Sequence, residues 1–337
     1  MRTLLVFLLC LAALPVTAMS KFTWVGEIPA QAEYLGVRTF RFEDSQRRRP
    51  VVVEIWYPTN QLGPFDPSED PIWVHPKERR DASLPQQRHP LILLSHGNRG
   101  DRRDRSWLAE CLVRKGYLVA SVEHFGNAWD TFTPHLSLRF WDRSKDISFA
   151  LDQLLAEPSL KGLIDEKRVG FIGYSLGGMT GLALGGAIAS NVKETLIKRL
   201  GKYPEMTTEI FDRIDFSEGH ANYGDPRIRA ILLICPANFI YSSQSLSKVK
   251  VPVGLVATLH DEILPHKEHA YPIIKHLIPA KLKLMRKKTS HFAFLNRASK
   301  AGKEIFQEAL LHNKGKPDPV HAEVGAFATD FFKAHLK

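Results

Sequence analysis

Between Arg168 and Met179 the chain passes from an apolar run, through a glycine-flanked turn, into a run of small residues. Val169, Phe171 and Ile172 predict a buried strand, and the small residues after Gly177 predict a helix reaching about Ile188. A strand that turns this sharply into a helix strains the backbone of residue 175. The residues two before and two after it, Gly173 and Gly177, must then lack side chains, or they would collide with the neighbouring strand and helix. The product is a serine hydroxyl at a helix N-terminus, where free N–H groups favour developing negative charge. Gly-x-Ser-x-Gly alone is a modest signal, and a glycine-rich structural turn would give the same letters. The strand–turn–helix context is what gives it weight.

The rest of the chain supplies a frame for that turn. Tyr34 to Phe42 and Pro50 to Trp56 alternate like an antiparallel hairpin, with Gln46 to Arg49 as its turn. Tyr57 to Pro90 lacks periodicity and reads as a long surface loop. Short apolar strands follow at Leu91–Leu94, Tyr117–Val122, Ile228–Ile234, Val251–Ala257 and Leu282–Met285. Helical periodicity marks about Arg105–Lys115, Trp141–Leu155, His269–Leu277 and Val320–Leu336. Strands apolar throughout, alternating with helices, predict an α/β fold whose mostly parallel sheet is covered on both faces. Asn191 to Asp225 interrupts the alternation, is charged and weakly helical, and reads as a small cap insertion.

A serine hydroxyl becomes nucleophilic when a base takes its proton and a carboxylate holds that base. In such a sheet the partners follow the serine in the order acid, then histidine, each in a loop at a strand's C-terminal end. Val251–Ala257 runs into Thr258-Leu-His-Asp261, which makes Asp261 the acid; Glu262 is its rival, expected to face the other way. Leu282–Met285 runs into a loop carrying His291, the expected base among fourteen histidines. Two backbone N–H groups are expected to bind the oxyanion: Leu176, just after the serine, and Asn98, in the loop Ser95-His-Gly-Asn-Arg-Gly100. His96 of that loop reads as a packing residue. His260, His266, His269 and His276 are dense but match no ligand motif, so no metal centre is expected.

Composition bears on compartment and partners. Arg2 followed by the apolar run Leu4–Leu14 and by Val16-Thr17-Ala18 predicts a signal peptide over residues 1–18, cut before Met19. A retained N-terminal anchor is the alternative. The mature domain is then 19–337; the whole chain of 337 residues is 44% hydrophobic, enough for a sizeable core. Cys111 and Cys235 fall in apolar segments and are expected as free, buried thiols. No Asn-x-Ser/Thr sequon occurs, which suits a bacterial periplasm. The net charge is +10, with basic clusters at Arg47–Arg49, Arg99–Arg105 and Lys281–Lys288. No aromatic residues interleave with them, so nucleic acid is not an expected partner. A solvated basic surface is expected, with weak attraction to anionic membrane lipid as the alternative.

Several stretches resemble one group of the α/β-hydrolases. They are Val53-Glu-Ile-Trp-Tyr-Pro58, Leu94-Ser-His-Gly97, Gly116 to His124, Gly170 to Gly178 and His291-Phe-Ala-Phe-Leu295. The chain is similar in these to the platelet-activating factor acetylhydrolase (isoform II-like) and predicted dienelactone hydrolase branch. The resemblance implies cofactor-free hydrolysis of a small-molecule or lipid ester, with a phospholipid acetylhydrolase among the readings. Two departures stand out. The lipid-hydrolysing members carry their acid where this chain has Cys235-Pro-Ala237, and dienelactone hydrolases use cysteine where this chain has Ser175. A plain serine carboxylesterase is therefore the expectation. A peptidase, or a hydrolase-shaped binding protein without turnover, is the rival.

Overall fold

Alternate residues of the central strands face opposite cores, which is why the strands are apolar throughout. In a computed structural model describing residues 34–61, 70–201, 206–277, 281–285, 289–305 and 319–337, the strands and helices follow in chain order. They are β1 (Tyr34–Asp44), β2 (Arg49–Thr59), β3 (Trp73–Val74), β4 (Glu78–Arg80), β5 (His89–Ser95), α1 (Ser106–Val113), β6 (Leu118–His124), α2 (Pro134–Ser137), α3 (Phe140–Ala156), β7 (Ile164–Tyr174) and α4 (Leu176–Leu184). Then come α5 (Val192–Leu200), α6 (Thr208–Asp212), β8 (Ile228–Ile234), α7 (Ser243–Leu246), β9 (Val253–Thr258), α8 (Ala270–Leu277), β10 (Lys281–Met285), β11 (Arg297–Ala298), α9 (Lys300–Ile305) and α10 (Pro319–His335). The expected signal peptide lies outside the described residues.

The main sheet has nine strands in the order β10-β9-β8-β7-β5-β6-β2-β1-β4. From β10 to β6 every pairing is parallel; β6–β2 and β2–β1 are antiparallel. Leu91 and Leu93 of β5 join a core with α3, α4, α7 and α8, while Ile92 and Leu94 join a second core with α1 and α10. Phe171 and Ile172 of β7, and Leu233 and Ile234 of β8, divide in the same way. A third apolar cluster forms where Val192, Leu196, Phe211 and Ile214, from the stretch after α4, pack on Phe140, Trp141 and Met179.

Three expectations need correction. The stretch 57–90 is not only loop: β3 pairs with β11, and β4 adds a ninth strand by pairing parallel to β1. Its signal is invisible locally, because Glu78 and Arg79 of β4 are buried charged residues. The hairpin is longer than expected, pairing Tyr34 with Thr59 and Asp44 with Arg49. The basic clusters are not simply solvated. Arg47 and Arg49 pair with Asp146, Arg102 with Glu54 and Glu123, Arg103 with Glu78, Lys281 with Asp330 and Lys283 with Glu323. Much of the positive charge is thus neutralised within the fold. Among the described residues, no helix is long and apolar enough to cross a membrane.

Candidate active site

The turn at Ser175 has φ 54° and ψ −116°, a left-handed backbone that a serine adopts only under constraint. Its N–H donates to Ile234 O at 2.9 Å, and its carbonyl accepts from Gly178 and Ala237, each at 2.9 Å. The two glycines have a steric reason. A Cβ on Gly173 would fall 2.0 Å from Gly177 O, and one on Gly177 would fall 2.2 Å from Ser95 O. Gly97 brings the β5 loop in as well, since a Cβ there would lie 3.2 Å from Ser175 Cβ. Ser175 is buried, with 9% of its surface exposed.

Ser175 Oγ lies 3.0 Å from His291 Nε2, and His291 Nδ1 lies 2.8 Å from Asp261 Oδ2. Carboxylate oxygens only accept, so Nδ1 carries the imidazole proton. Nε2 is left as the acceptor for the serine hydroxyl. Asp261 Oδ1 accepts from the N–H groups of Ile263 at 3.0 Å and Leu264 at 2.6 Å, which fixes the carboxylate at the tip of its loop. Asp261 and His291 are both buried.

Glu262 does not face away. It is exposed, yet its Oε2 accepts from the backbone N–H of His291 at 3.0 Å. Tyr174 holds the same residue from the other end, donating its hydroxyl to His291 O at 2.9 Å. Both backbone groups of His291 are therefore clamped by the sequence neighbours of Asp261 and of Ser175. Sequence reasoning missed this role, though both residues adjoin positions it had singled out.

Leu176 is the first residue of α4, so its N–H is one of the donors that a helix leaves without an intrahelical partner. Asn98 is exposed, on the loop beside Ser175. Its side-chain oxygen accepts from Asn127 Nδ2 at 2.7 Å, Arg99 N–H donates to Asn127 O at 3.1 Å, and Trp129 N–H donates to Gly100 O at 3.0 Å. The loops after β5 and β6 are thereby joined.

Behind them lies a buried polar network that the sequence did not disclose. Arg143, 1% exposed, donates to Asn127 Oδ1 at 2.5 Å, Ser95 Oγ at 3.1 Å, Thr180 Oγ1 at 3.2 Å and the carbonyl of His96. Ser95 Oγ and His124 Nε2 are 2.9 Å apart, and His124 Nδ1 lies 3.0 Å from Asp146 Oδ2. Arg49 closes the chain on Asp146 with bonds of 2.7 and 2.9 Å. His96 Nε2 accepts from His124 N–H at 3.0 Å, so His96 is a neutral packing residue, protonated at Nδ1 towards Gly97 O.

Burial, then the nearby Arg143, pushes His124 down to about 3 from an ordinary 6.5. Between those values the unfolded imidazole takes up a proton that the folded one refuses, so stability falls as the medium is acidified through this window. His96 shifts in the same direction, for the same leading cause. Burial pushes Asp146 up, but Arg49 and His124 outweigh it and hold the carboxyl well below its usual range, which adds to acid lability at lower pH. Unfolding in urea should show His124 alone costing about 1–2 kcal/mol between pH 6.5 and 5. His124→Gln should flatten that slope; an unchanged slope would contradict the assignment.

Cys111 and Cys235 are both free thiols, but Cys111 is only half-buried, against expectation. The histidines at 260, 266, 269 and 276 form no cluster with one another among the described residues. His269 is spent on packing, its Nδ1 accepting from Asn238 N–H at 3.1 Å. The convergent donor group is a different one: Cys235, Asp261 and His291, with ligand atoms within 4.8 Å of one another.

Sheet order, covered faces and the strained strand–helix turn define the α/β-hydrolase fold. A solved ferulic acid esterase from Streptomyces cinnamoneus has the same fold, with a TM-score of 0.56, 20% identity and 92% of each chain covered. Lipase 1 of Moraxella sp. (strain TA144) is 27% identical over 173 residues, which is 51% of this chain. The chain spans 39% of that relative's length. No protein-family model matches the chain.

Proposed function

We propose that the protein is a serine hydrolase of carboxylic esters. The observation that carries this reading is the pair of distances, 3.0 and 2.8 Å, linking Ser175, His291 and Asp261 at a helix N-terminus. Ser175 Oγ attacks the ester carbonyl while His291 Nε2 takes its proton. The imidazolium so formed is stabilised by Asp261 through Nδ1. The N–H groups of Leu176 and Asn98 bind the oxyanion, and His291 then protonates the departing alcohol. Water repeats the sequence on the acyl-enzyme, releasing the acid and restoring the serine hydroxyl.

The names of the two similar proteins, a lipase and an esterase, support an ester substrate. The cap supports an apolar acyl group: Leu176, Leu200, Ile210, Phe239 and Leu264 are partly buried on its hydrophobic cluster. An acyl-length series of p-nitrophenyl esters tests both points; no turnover of any member would remove the reading. We also propose export, to the periplasm or out of the cell, directed by residues 1–18.

Asp261 rather than Glu262 is the acid. Asp261→Asn should lower kcat by about 10⁴-fold, because the amide favours the wrong imidazole tautomer. Glu262→Gln should cost about tenfold or less, since it removes only charge from one bond to the His291 backbone. Steady-state kinetics with the ranking reversed would exchange the two roles.

A further inference from the structure

Cys235 is not part of the proposed esterase chemistry, yet it stands beside it. It follows β8 directly, at φ 42°, a left-handed conformation unusual for a residue with a side chain. Its N–H is tied to Val256 O at 2.8 Å, and the residue is 3% exposed. This places a sulfur, a carboxylate oxygen and an imidazole nitrogen within 4.8 Å of one another, all on buried residues. Zinc accepts thiolate sulfur, imidazole nitrogen and carboxylate oxygen alike, with bonds of about 2.0–2.3 Å, so its donors stand about 3–4 Å apart. The widest pair must therefore close by about 1 Å for the three to share one ion.

We propose that Cys235, Asp261 and His291 form a latent inhibitory site for a thiophilic divalent cation, zinc in the first place. For its effect on rate, the proposal rests on the esterase reading. Zinc would bind the Cys235 thiolate, one Asp261 oxygen and His291 Nδ1, with water in the fourth position. The thiol gives up its proton to solvent, and the imidazole proton moves from Nδ1 to Nε2. One proton is released in all, and nothing is oxidised or reduced. Burial and then the Asp261 carboxylate keep the free thiol protonated, and a coordinated thiol loses that proton outright. A proton on Nε2 disables the base, because His291 can no longer accept from Ser175 Oγ. The cation also takes the carboxylate that orients the ring.

The test uses the full-length chain, with buffered zinc for rate and cobalt(II) as a spectroscopic substitute. The wild type and Cys111→Ala should show a thiolate-to-cobalt charge-transfer band that is absent in Cys235→Ala and Cys235→Ser. Zinc should inhibit the wild type reversibly with EDTA, and each Cys235 variant, compared with its own metal-free rate, should need at least about tenfold more. No cobalt band in the wild type overturns the site, as does a band surviving in a folded Cys235 variant. Equal zinc sensitivity of wild type and variant, or a band without inhibition, overturns its inhibitory role. The cobalt band is read without turnover, so the metal site is judged separately from the esterase reading; circular dichroism verifies folding, and Cys235→Ser serves if the alanine variant does not fold.

Discussion

Ser175→Ala is expected to lower kcat for ester hydrolysis by about 10⁶-fold, with the fold and KM little changed. The magnitude follows from the three groups acting as one unit: without the hydroxyl, His291 has no proton to accept and Asp261 has no imidazolium to stabilise. Some rate above that in water should survive, because the N–H groups of Leu176 and Asn98 and the apolar cluster around Met179 remain. The substitution is also sterically mild. Ser175 makes its structural bonds through its backbone, to Ile234, Gly178 and Ala237, and alanine keeps all of them. Stopped or steady-state assays on a p-nitrophenyl ester, paired with thermal unfolding, check both halves. A loss under about tenfold would mean that another group supplies the nucleophile.

The largest effect on stability is expected at Arg143. Its guanidinium serves four oxygens, of Ser95, His96, Asn127 and Thr180, from the end of β5, the loops after β5 and β6, and α4. Burial lowers it to about 9, so it is charged at neutral pH, with Asp146 the first of the groups that counter the shift. Arg143→Met leaves those oxygens buried without donors, which should cost about 3–5 kcal/mol. The β5 loop carrying Asn98 should loosen as well, so kcat should fall although Arg143 does not touch the serine. Lysine cannot reproduce the planar fork, and Arg143→Lys should recover only part of the loss. Urea midpoints within about 1 kcal/mol of wild type for Arg143→Met would show that the network is not what holds these loops.

What could be read from the sequence is what short-range rules govern. The elbow reveals itself because Gly173 and Gly177 are required by contacts within five residues and by Ser95 O. Asp261 and His291 could be placed because each follows an apolar strand directly, and the structure brings them to one chain of hydrogen bonds with Ser175. The sheet and its covered faces followed from strands with no polar alternation. The rest depends on partners far apart in the chain. Arg49 meets Asp146 across 97 positions, and Arg143 meets His96 across 47, with no periodicity to announce either. The edge strand β4 escaped because its side chains are buried charges, paired elsewhere. Glu262 was misjudged because alternation along a strand does not extend into a loop tip, where Asp261 and Glu262 both turn toward His291.

Intact-mass analysis after treatment with a fluorophosphonate tests the central claim most directly. The reagent phosphonylates a serine only where a neighbouring base and oxyanion donors activate it. The wild type should gain a single adduct, mapped by peptide sequencing to Ser175, while Ser175→Ala gains none. An unlabelled wild type, or an adduct that persists in Ser175→Ala, would contradict the account.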